Sequence, residues 1–392
     1  MKPDMRLAFL APDIDLTGLS GDVAHVLDLT HSLSRAGCMI DLIVGTPMAE
    51  PLPANVRLRV VRTRSTFLEG LYLYWALRHE RPDVIYERRN SPKLSAMLSL
   101  LLRRPYFVEI NGLADEEKHL LRQGESAADS LLQKVKRRLR GMLLGHARGI
   151  IAVTEGLKER LIAEHGIPAK QILVIRNGVD LSLFKMTPAQ TARSALGLPQ
   201  DRQYVVFVGN LVEWHGVHTL VTAMARVVQR NPNVTLLIVG DGPERSRLEI
   251  QVAKLQLEDR VVFAGWVKRE SVPTWIAAAD ICTLTLTIAR NASIGSSALK
   301  LGEYLACGRA VVATNLPGAG PFVESHGVGL GFRGDDPIDL SARIFELLED
   351  PKRRMDMGHR ARELAERELS WERVSTTLLN HFEATKERAP IP

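Results

Sequence analysis

The sequence is poor in cysteine and has no long apolar run. Its 392 residues include three cysteines, Cys38, Cys282 and Cys307, whose odd number and wide spacing predict neither a disulfide framework nor a zinc site. The apolar run at 96–102 is far shorter than the ~18–20 residues that a helix needs to span a bilayer. The apolar stretch at 7–11 has the length of a strand and not of a signal-peptide core. We therefore expect a cytoplasmic protein.

The composition is that of a globular protein with ample apolar material, since 45% of the residues are hydrophobic and 24% are charged. At roughly 150 residues per domain, the length predicts two domains or three. The net charge of +6 is unevenly distributed. Residues 1–187 hold 27 Lys and Arg against 21 Asp and Glu, and the rest of the chain is balanced.

Much of the positive charge lies in one run of cations interleaved with apolar residues: Lys134, Lys136, Arg137, Arg138 and Arg140. A basic amphipathic helix of this kind can lie on an anionic membrane surface or meet an anionic ligand. The alternative is a solvated helix whose apolar stripe packs on its own core. We expect no nucleic-acid partner, and the sequence leaves the oligomeric state open.

Short apolar runs alternate with amphipathic helices along the chain. Strands are predicted at 6–11, 39–44, 56–62, 84–86, 106–110, 149–153, 204–208, 234–239, 261–263, 281–286 and 310–313. Helices are predicted at 23–35, 71–79, 217–228 and 245–255, with a further one from Trp371 onward. This alternation is typical of parallel sheets covered on both faces, so we predict an α/β fold of two doubly wound domains.

The segment 181–202 carries Pro188, Gly197 and Pro199 and shows no strong period, so we place the linker there. We predict an N-terminal domain at 1–187, with 371–392 packing back on it, and a C-terminal domain at 188–370. Ligands of doubly wound sheets bind outside the carboxyl ends of the strands. We therefore expect the chemistry in the loops that follow strands.

Two such loops open helices. The first brings Gly21 and Asp22 to a helix start, with His25 on the helix, where N–H groups and the helix dipole can approach an anion. A plain structural turn is the alternative. The second loop begins with Gly209 and leads to His215, which can bind a phosphate when it is protonated or donate one hydrogen bond to it when neutral.

The most informative stretch is a Gly/Ser turn at 295–299 that opens a helix. Lys300 and Glu303 lie three residues apart and share one face of that helix. One interpretation places a phosphate at the N–H groups of 296–299 beside Lys300, with Glu303 accepting from two sugar hydroxyls. The alternative is a surface ion pair worth about 0–1 kcal/mol.

The order of these motifs resembles that of the GT-B-fold glycosyltransferases of family 4, which are retaining and depend on nucleotide sugars. The resemblance runs from about Arg6 to Phe382. It rests on five segments: Ser20-Gly21 ahead of His25-Val26, 150–158 (IIAVTEGLK), 174–180 (VIRNGVD), 239–243 (VGDGP) and 303–314 (EYLACGRAVVAT). It implies two Rossmann-like domains facing each other across a cleft, with the C-terminal helix crossing back to the N-terminal domain.

The resemblance also implies roles for individual residues. Glu303 matches the glutamate that holds the nucleotide ribose, and Gly21 matches a glycine near the transferred sugar. Trp266 and Val267 match the loop that contacts the base. The donor-binding backbone matches Gly209, Asn210, Gly295, Ser296, Ser297, Ala298 and Leu299.

Three features depart from the family pattern. Asn210 and His215 stand where the family has the Arg and Lys that bind the diphosphate. Gly295 replaces the first of two motif glutamates, and Asn111 replaces the histidine of a loop in the N-terminal domain. Lys300 is then the strongest remaining cation for the leaving diphosphate.

The resemblance predicts transfer of a sugar from a nucleotide diphosphate sugar to an acceptor hydroxyl, with the configuration retained. A UDP-sugar is favoured and a GDP-sugar is possible, and the acceptor is a sugar, a lipid-linked glycan or a small molecule. The predicted catalytic residues are Lys300 and His215 for the leaving group and Glu109 for proton transfer. Asp22, His25 and Asn111 are assigned with Gly21 to the acceptor side.

No metal or other cofactor is expected. The nearest approach to a metal-binding pair is Asp13 with Asp15, in a predicted loop after the first strand. If the acceptor is lipid-linked, we expect the protein to contact the inner face of the membrane peripherally.

Two alternative functions use the same fold: a sugar-nucleotide epimerase, and a non-catalytic protein that binds nucleotide sugars. A nicotinamide-dependent oxidoreductase is disfavoured, because the turn at 240–243 lacks the third glycine of the GxGxxG fingerprint.

Overall fold

The computed structural model describes residues 5–18, 21–47, 51–61, 66–89, 92–112, 127–292 and 294–386. The chain forms two compact units. The first comprises Met1–Arg176 and Trp371–Pro392, and the second comprises Asn177–Ser370. The division therefore lies at Arg176 and not at the predicted residue 187.

The segment that we predicted as a linker belongs to the second unit. It contains the helix Ala189–Leu196, which Pro188 precedes and Gly197 ends in a left-handed conformation (φ +66°). The Arg193 guanidinium donates to the carbonyl of Ala278 (3.0 Å) and to Asp280 (2.8 Å). Proline and glycine thus mark helix ends here, and side-chain contacts hold the segment in place.

The first unit contains a parallel sheet whose seven described strands follow the order β3-β2-β1-β4-β5-β6-β7. The strands are β1 (Arg6–Asp15), β2 (Met39–Thr46), β3 (Val56–Val60), β4 (Val84–Arg88), β5 (Tyr106–Ile110), β6 (Gly149–Ala152) and β7 (Ile172–Val174). The described helices are α1 (Gly21–Arg35), α2 (Thr66–Leu77), α3 (Lys93–Leu102), α4 (Ala127–His146), α5 (Glu155–His165) and the C-terminal α15 (Trp371–Lys386).

The second unit contains a parallel sheet in the order β10-β9-β8-β11-β12-β13. Its strands are β8 (Gln203–Val208), β9 (Val234–Val239), β10 (Val261–Gly265), β11 (Ile281–Leu284), β12 (Ala310–Thr314) and β13 (Gly329–Phe332). Its described helices are α6 (Ala189–Leu196), α7 (Val217–Arg230), α8 (Arg245–Lys254), α9 (Val272–Ala278), α10 (Ile288–Asn291), α11 (Leu299–Ala306), α12 (Gly320–Ser325), α13 (Pro337–Leu348) and α14 (Pro351–Glu368).

Alternate residues of one strand supply two separate cores, which explains the continuous apolar runs in the sequence. In β8, Tyr204, Val206 and Val208 join one cluster of buried residues, whereas Val205 and Phe207 join the other. Side chains of a strand point alternately to its two faces, so a sheet covered on both faces needs apolar residues at every position. The predicted doubly wound α/β fold is confirmed.

The C-terminal helix α15 packs on α1 of the first unit, as predicted. The Trp371 indole N–H donates to Asp28 (3.0 Å), and the hydroxyls of Ser32 and Ser375 lie 2.9 Å apart. The ring of Phe382 is buried, and its centroid lies 4.6 Å from that of Phe107 on β5. These contacts bring α15 into the core of the first unit.

Some predicted boundaries were wrong. Strand β1 continues to Asp15, so Asp13 and Asp15 lie within it and not in a loop. Asp13 pairs with Arg89 (2.6 Å), and Asp15 accepts from the Thr17 N–H (2.9 Å). The predicted strands did not include β13 or the three-residue β7.

None of the helices in the described ranges combines the length and the apolar character that are needed to cross a membrane.

Candidate active site

Two glycine turns end neighbouring strands of the second unit. Gly209 (φ +137°) follows β8, and Gly240 (φ +127°) follows β9. A Cβ atom on Gly240 would lie 2.2 Å from the Gly209 carbonyl oxygen, and a Cβ atom on Gly209 would lie 2.6 Å from the Lys300 Nζ atom. Both positions therefore favour glycine. A Cβ atom at Gly240 would collide with the backbone of Gly209, and a Cβ atom at Gly209 would collide with the Lys300 ammonium.

Lys300 projects from the first turn of α11 toward this place. Its Nζ atom lies 4.4 Å from the ring centroid of Phe207, is buried, and has no hydrogen-bond partner among the described residues. Burial lowers the pKa of Lys300 to about 7, against the opposing effect of the Glu303 charge. A buried ammonium without an anionic partner is costly, so the site suits an anion. The alternative of a solvent-exposed ion pair is excluded, because the nitrogen is buried.

The turn that opens α11 uses part of its backbone internally. The Gly295 N–H donates to the Asn291 carbonyl (2.9 Å), and the Ser296 N–H donates to the Pro317 carbonyl (2.8 Å). The Ser296 amide is therefore not available to the phosphate that the sequence analysis placed at the N–H groups of 296–299, and the Gly295 amide is likewise engaged. The first N–H groups of α11, at Leu299 and Lys300, have no intrahelical carbonyl to bond and lie at the positive end of the helix dipole.

Asn177 clamps the same turn. Its backbone N–H donates to the Ser297 hydroxyl (2.9 Å), and its side-chain amide donates to the Ser297 carbonyl (2.6 Å). Ala298 follows in an extended conformation as the residue before α11. Asn177 belongs to the VIRNGVD segment, to which the sequence analysis assigned no role. In the structure its two hydrogen bonds stabilise the turn at 295–299.

Gly295 has a left-handed backbone (φ +71°), and a Cβ atom there would lie 2.6 Å from the Pro317 carbonyl oxygen. The glutamate that the family pattern places here does not fit this backbone. The glycine is thus required by the shape of the turn.

Restoring that glutamate should damage the protein. Gly295→Glu and Gly295→Ala are expected to lower Tm and nucleotide-sugar binding, because both add a Cβ atom against the Pro317 carbonyl. Gly197→Ala is the matched control, since Gly197 has nearly the same φ (+66°) but a Cβ atom there meets nothing within 4 Å. The control should cost only the left-handed penalty of about 1–2 kcal/mol. Equal losses in Gly295→Ala and the control would contradict the steric argument.

His215 lies beside the same aromatic ring, with its ring centroid 6.1 Å from that of Phe207. Its Nδ1 atom is 2.6 Å from the Asn210 carbonyl oxygen, and a carbonyl can only accept, so Nδ1 carries a proton. In the neutral ring Nε2 is then an acceptor. The sequence-based expectation that a neutral His215 donates to a phosphate is therefore corrected: donation from Nε2 requires the imidazolium.

The remaining predicted donor residues lie on the same unit. Trp266, 49% exposed, directly follows β10, and Val267 packs on the core beside it. The Gly240 N–H donates to the Gly265 carbonyl (2.8 Å), which brings this loop to the end of the sheet that carries the glycine turns. Glu303 is half-buried on α11. The sequence did not single out Phe207, because an aromatic residue in a buried strand carries no distinguishing pattern.

A second group of polar residues is formed within the first unit around Glu109, at the end of β5. The buried Glu109 carboxylate is surrounded by four side chains: Tyr86 (hydroxyl donor), Asn111 (Nδ2, 2.6 Å), His25 (Nε2, 2.9 Å) and Arg88 (Nε, 3.3 Å). Burial by itself would raise the pKa of Glu109, but His25, Arg88 and Tyr86 outweigh it and hold the pKa at about 2. The ionised carboxylate thus holds these four side chains in place.

The structure does not support Glu109 as the catalytic base. A group with a pKa of about 2 accepts a proton poorly near neutral pH, and its oxygens already accept hydrogen bonds. The predicted acceptor-side residues do come together, because Arg88 also donates to Asp22 (2.6 Å) and Gly21 begins the helix that carries His25. The sequence analysis did not assign Arg88 or Tyr86 to a site, because they lie in or next to the apolar run 84–86, which predicts only a strand.

No group of three or more His, Cys, Asp or Glu residues within the described parts of the chain is arranged to hold a metal ion.

Both units match known families along most of their length. Residues 19–183 match the model "Glycosyltransferase Family 4", and residues 189–364 match "Glycosyl transferases group 1".

Among individual relatives, 2-deoxystreptamine glucosyltransferase of Streptomyces kanamyceticus is 27% identical over 93% of this chain and 99% of its own length. A mannosyltransferase of Corynebacterium glutamicum, named as GDP-mannose-dependent and acting on monoacylated phosphatidylinositol monomannoside, is 33% identical over 52% of this chain and 54% of its own.

Solved structures share the fold. HepE of Anabaena, solved with UDP, has a TM-score of 0.77 at 21% identity, covering 97% of this chain and all of that one. Sucrose-phosphate synthase of Thermosynechococcus elongatus has a TM-score of 0.76 at 22% identity, covering 97% and 98%. Family models, relatives and fold agree, and the chain belongs to the GT-B-fold glycosyltransferases of family 4.

Proposed function

We propose that the protein is a retaining glycosyltransferase that binds the diphosphate of a nucleotide sugar at Lys300. The observation that carries the proposal is the buried Lys300 ammonium, which faces the Gly209 turn and the start of α11 without a partner among the described residues. A UDP-sugar is the favoured donor. HepE, solved with UDP and with UDP-glucose, supports this choice. A GDP-sugar is the second candidate, because the mannosyltransferase described above is named as GDP-mannose-dependent.

In the proposed reaction the bond between the sugar and the diphosphate breaks, and an acceptor hydroxyl bonds to the same face of the anomeric carbon. Negative charge develops on the leaving phosphate, where Lys300, the His215 imidazolium and the first amides of α11 stabilise it. The hydroxyl proton passes to that phosphate, so no protein nucleophile or base is required. Glu303 holds the ribose hydroxyls in the ground state and in the transition state.

A donor screen tests the proposal directly. Thermal shift over UDP-, GDP- and ADP-sugars should select one base, since a ligand at 100 times its Kd stabilises the folded protein by about 2.7 kcal/mol. Release of free nucleotide should then depend on an added acceptor. Conversion of the sugar without any acceptor would instead indicate an epimerase. Donor binding without nucleotide release for any sugar, lipid-linked glycan or small-molecule acceptor would indicate a non-catalytic binding protein.

We further propose that transfer needs no metal, because Lys300 and the helix start can neutralise the diphosphate. Activity is expected to persist in EDTA. Loss of activity in EDTA with recovery on adding Mn²⁺ or Mg²⁺ would contradict this proposal.

His215→Ala should lower kcat, but less than the loss of Lys300 does, and the loss should shrink as pH rises. Only the imidazolium can donate from Nε2, so the wild-type protein itself loses the contribution on deprotonation. His326→Ala is the matched control, because His326 Nδ1 also bonds a backbone carbonyl, that of Phe322 (2.8 Å). A kcat ratio between wild type and His215→Ala that does not change with pH would contradict the role.

For location, we propose a cytoplasmic protein that meets the inner face of the membrane peripherally, with the basic helix α4 toward anionic lipid. The exposed side chains of Lys134, Lys136, Arg137 and Arg138 support this.

A further inference from the structure

Exposed large apolar side chains are concentrated on three helices of the first unit. Of the eighteen such residues in the described ranges, ten lie there: Phe67, Leu68, Leu71, Tyr72 and Trp75 on α2, Leu100 and Leu101 on α3, and Val135, Leu139 and Met142 on α4. The other eight are scattered over the rest of the chain. Isolated exposed apolar residues are ordinary, whereas a cluster marks an interaction surface.

The three helices are neighbours in the first unit. Helix α3 packs against both α2 and α4. The contact with α2 is close, because a Cβ atom on Gly70 would lie only 1.4 Å from the Met97 Cε atom. We call the ten apolar residues, with the exposed cations beside them, the docking surface.

Helix α2 is apolar on both of its sides. Leu73 and Leu77 on one side are fully buried. Its five exposed residues occupy the other side, within an arc of about 140° at 3.6 residues per turn. A helix on the surface of a globular protein needs only one apolar face. The second face of α2 therefore fits an apolar partner, and its Tyr and Trp are the residues that favour a membrane interface.

The charges beside this face are positive. Exposed cations on or next to the three helices are Arg78, Lys93, Arg103, Lys134, Lys136, Arg137 and Arg138. The Arg78 guanidinium lies 3.7 Å from the ring centroid of Trp75. The one acidic side chain that the structure describes within these helices is Glu69, and it is buried. A second copy of the same surface would bring like charges together, whereas an anionic lipid surface complements them.

We propose that α2, α3 and α4 dock on an anionic lipid bilayer, with Tyr72 and Trp75 of α2 inserted at the interface and the cations at the headgroups. The inference deepens the proposed membrane contact and rests on it: the basic helix α4 supplies attraction, and the aromatic face of α2 supplies insertion. Docking of this kind would bring the first unit, with its acceptor-side residues, to a lipid-linked acceptor. Vesicle binding requires neither donor nor acceptor and can be measured by itself.

The experiment measures co-sedimentation of the full chain with vesicles of phosphatidylcholine alone, or of equal parts phosphatidylcholine and phosphatidylglycerol. We expect binding to the anionic vesicles. Tyr72→Ser/Trp75→Ser should lower the partition coefficient by on the order of tenfold or more at every salt concentration, because it removes apolar contact. Lys134→Gln/Lys136→Gln should lower it by about tenfold at low salt and little at high salt. The Trp75 part of the fluorescence, obtained by difference with Trp75→Phe, should be quenched by brominated acyl chains.

Two matched variants in the second unit serve as controls. Ile338→Ser/Met355→Ser removes two equally exposed apolar side chains, and Lys254→Gln/Lys352→Gln removes two exposed charges. Both should bind vesicles like the wild type. Donor-induced thermal shifts should be unchanged in all four variants, so a failure of docking is distinct from a failure of the proposed sugar transfer.

Three results would overturn the inference. The first is absence of wild-type binding to the anionic vesicles. The second is unchanged binding by Tyr72→Ser/Trp75→Ser. The third is a wild-type dimer, seen by sedimentation, that becomes monomeric in Tyr72→Ser/Trp75→Ser, since the surface would then belong to a second copy of the chain.

Discussion

Lys300→Ala should lower kcat by on the order of 10²–10³, the size of the loss when one group that stabilises developing charge is removed. In the proposed reaction the ammonium faces charge that grows as the bond between sugar and phosphate breaks, so its effect falls on the transition state. Glu303→Gln should behave differently and chiefly raise KM for the donor, because the proposed ribose contact is the same in the ground state and in the transition state. Steady-state kinetics with the donor found by the screen measures both.

Lys254→Ala is the control for Lys300→Ala, since Lys254 is an exposed lysine at the end of α8. A near-normal kcat for Lys300→Ala would remove the role in leaving-group stabilisation. A loss confined to KM would show that Lys300 binds ground state and transition state equally.

The low pKa of Lys300 adds a pH dependence with a definite sign. Burial lowers that pKa from 10.5 to about 7, so the unfolded chain binds more protons than the folded one between these values. The free energy of unfolding should therefore gain a rising component from about pH 7 to pH 10.5, and Lys300→Met should lack it. Donor binding restores the ammonium, so calorimetry near pH 8 should detect proton uptake in the wild type and not in Lys300→Met.

Glu109→Ala should lower the free energy of unfolding of the first unit by about 3–5 kcal/mol, because it leaves the Arg88 guanidinium and other buried polar partners without their carboxylate. The partners affected are Arg88 and His25, which Glu109 holds within 3.3 Å and 2.9 Å. Urea unfolding followed by Trp fluorescence measures the loss. Glu159→Ala is the control in the same unit, since Glu159 is exposed on α5, and should change stability by at most about 0.5 kcal/mol.

The pH dependence of Glu109 has the opposite sign from that of Lys300. Its pKa is held at about 2, below the ordinary 4.5, so its contribution to stability is complete above about pH 4.5 and is lost as pH falls toward 2. Glu109→Gln should be less stable at neutral pH and lack this acid-sensitive component. If Glu109→Gln were as stable as wild type but lost the acidic limb of its pH–rate profile, Glu109 would be a catalytic base after all.

Much of the fold could be read from local patterns. Apolar runs such as 106–110 and 234–239 are strands with the predicted bounds, because a strand buried on both faces must be apolar at each position. The change from that pattern to helical spacing after each strand was enough to predict the doubly wound sheets. The linker prediction, which relied on Pro188 and Gly197, was wrong, because proline and glycine occur at the ends of helices as well as in loops.

The sequence by itself determined which loops are candidates for the chemistry, because parallel strands bring their following loops to one edge of a sheet. It also identified Lys300, Glu303 and His215 as candidates by residue type and position. Only the tertiary structure decided what state these groups are in. Phe207 and Gly209, at the end of β8, bury the Lys300 ammonium, and the Asn210 carbonyl sets the tautomer of His215. Four side chains surround Glu109, and the three of them that are distant in the chain hold its pKa low. Protonation and hydrogen bonding depend on burial and on neighbours far apart in the chain, which no local pattern records.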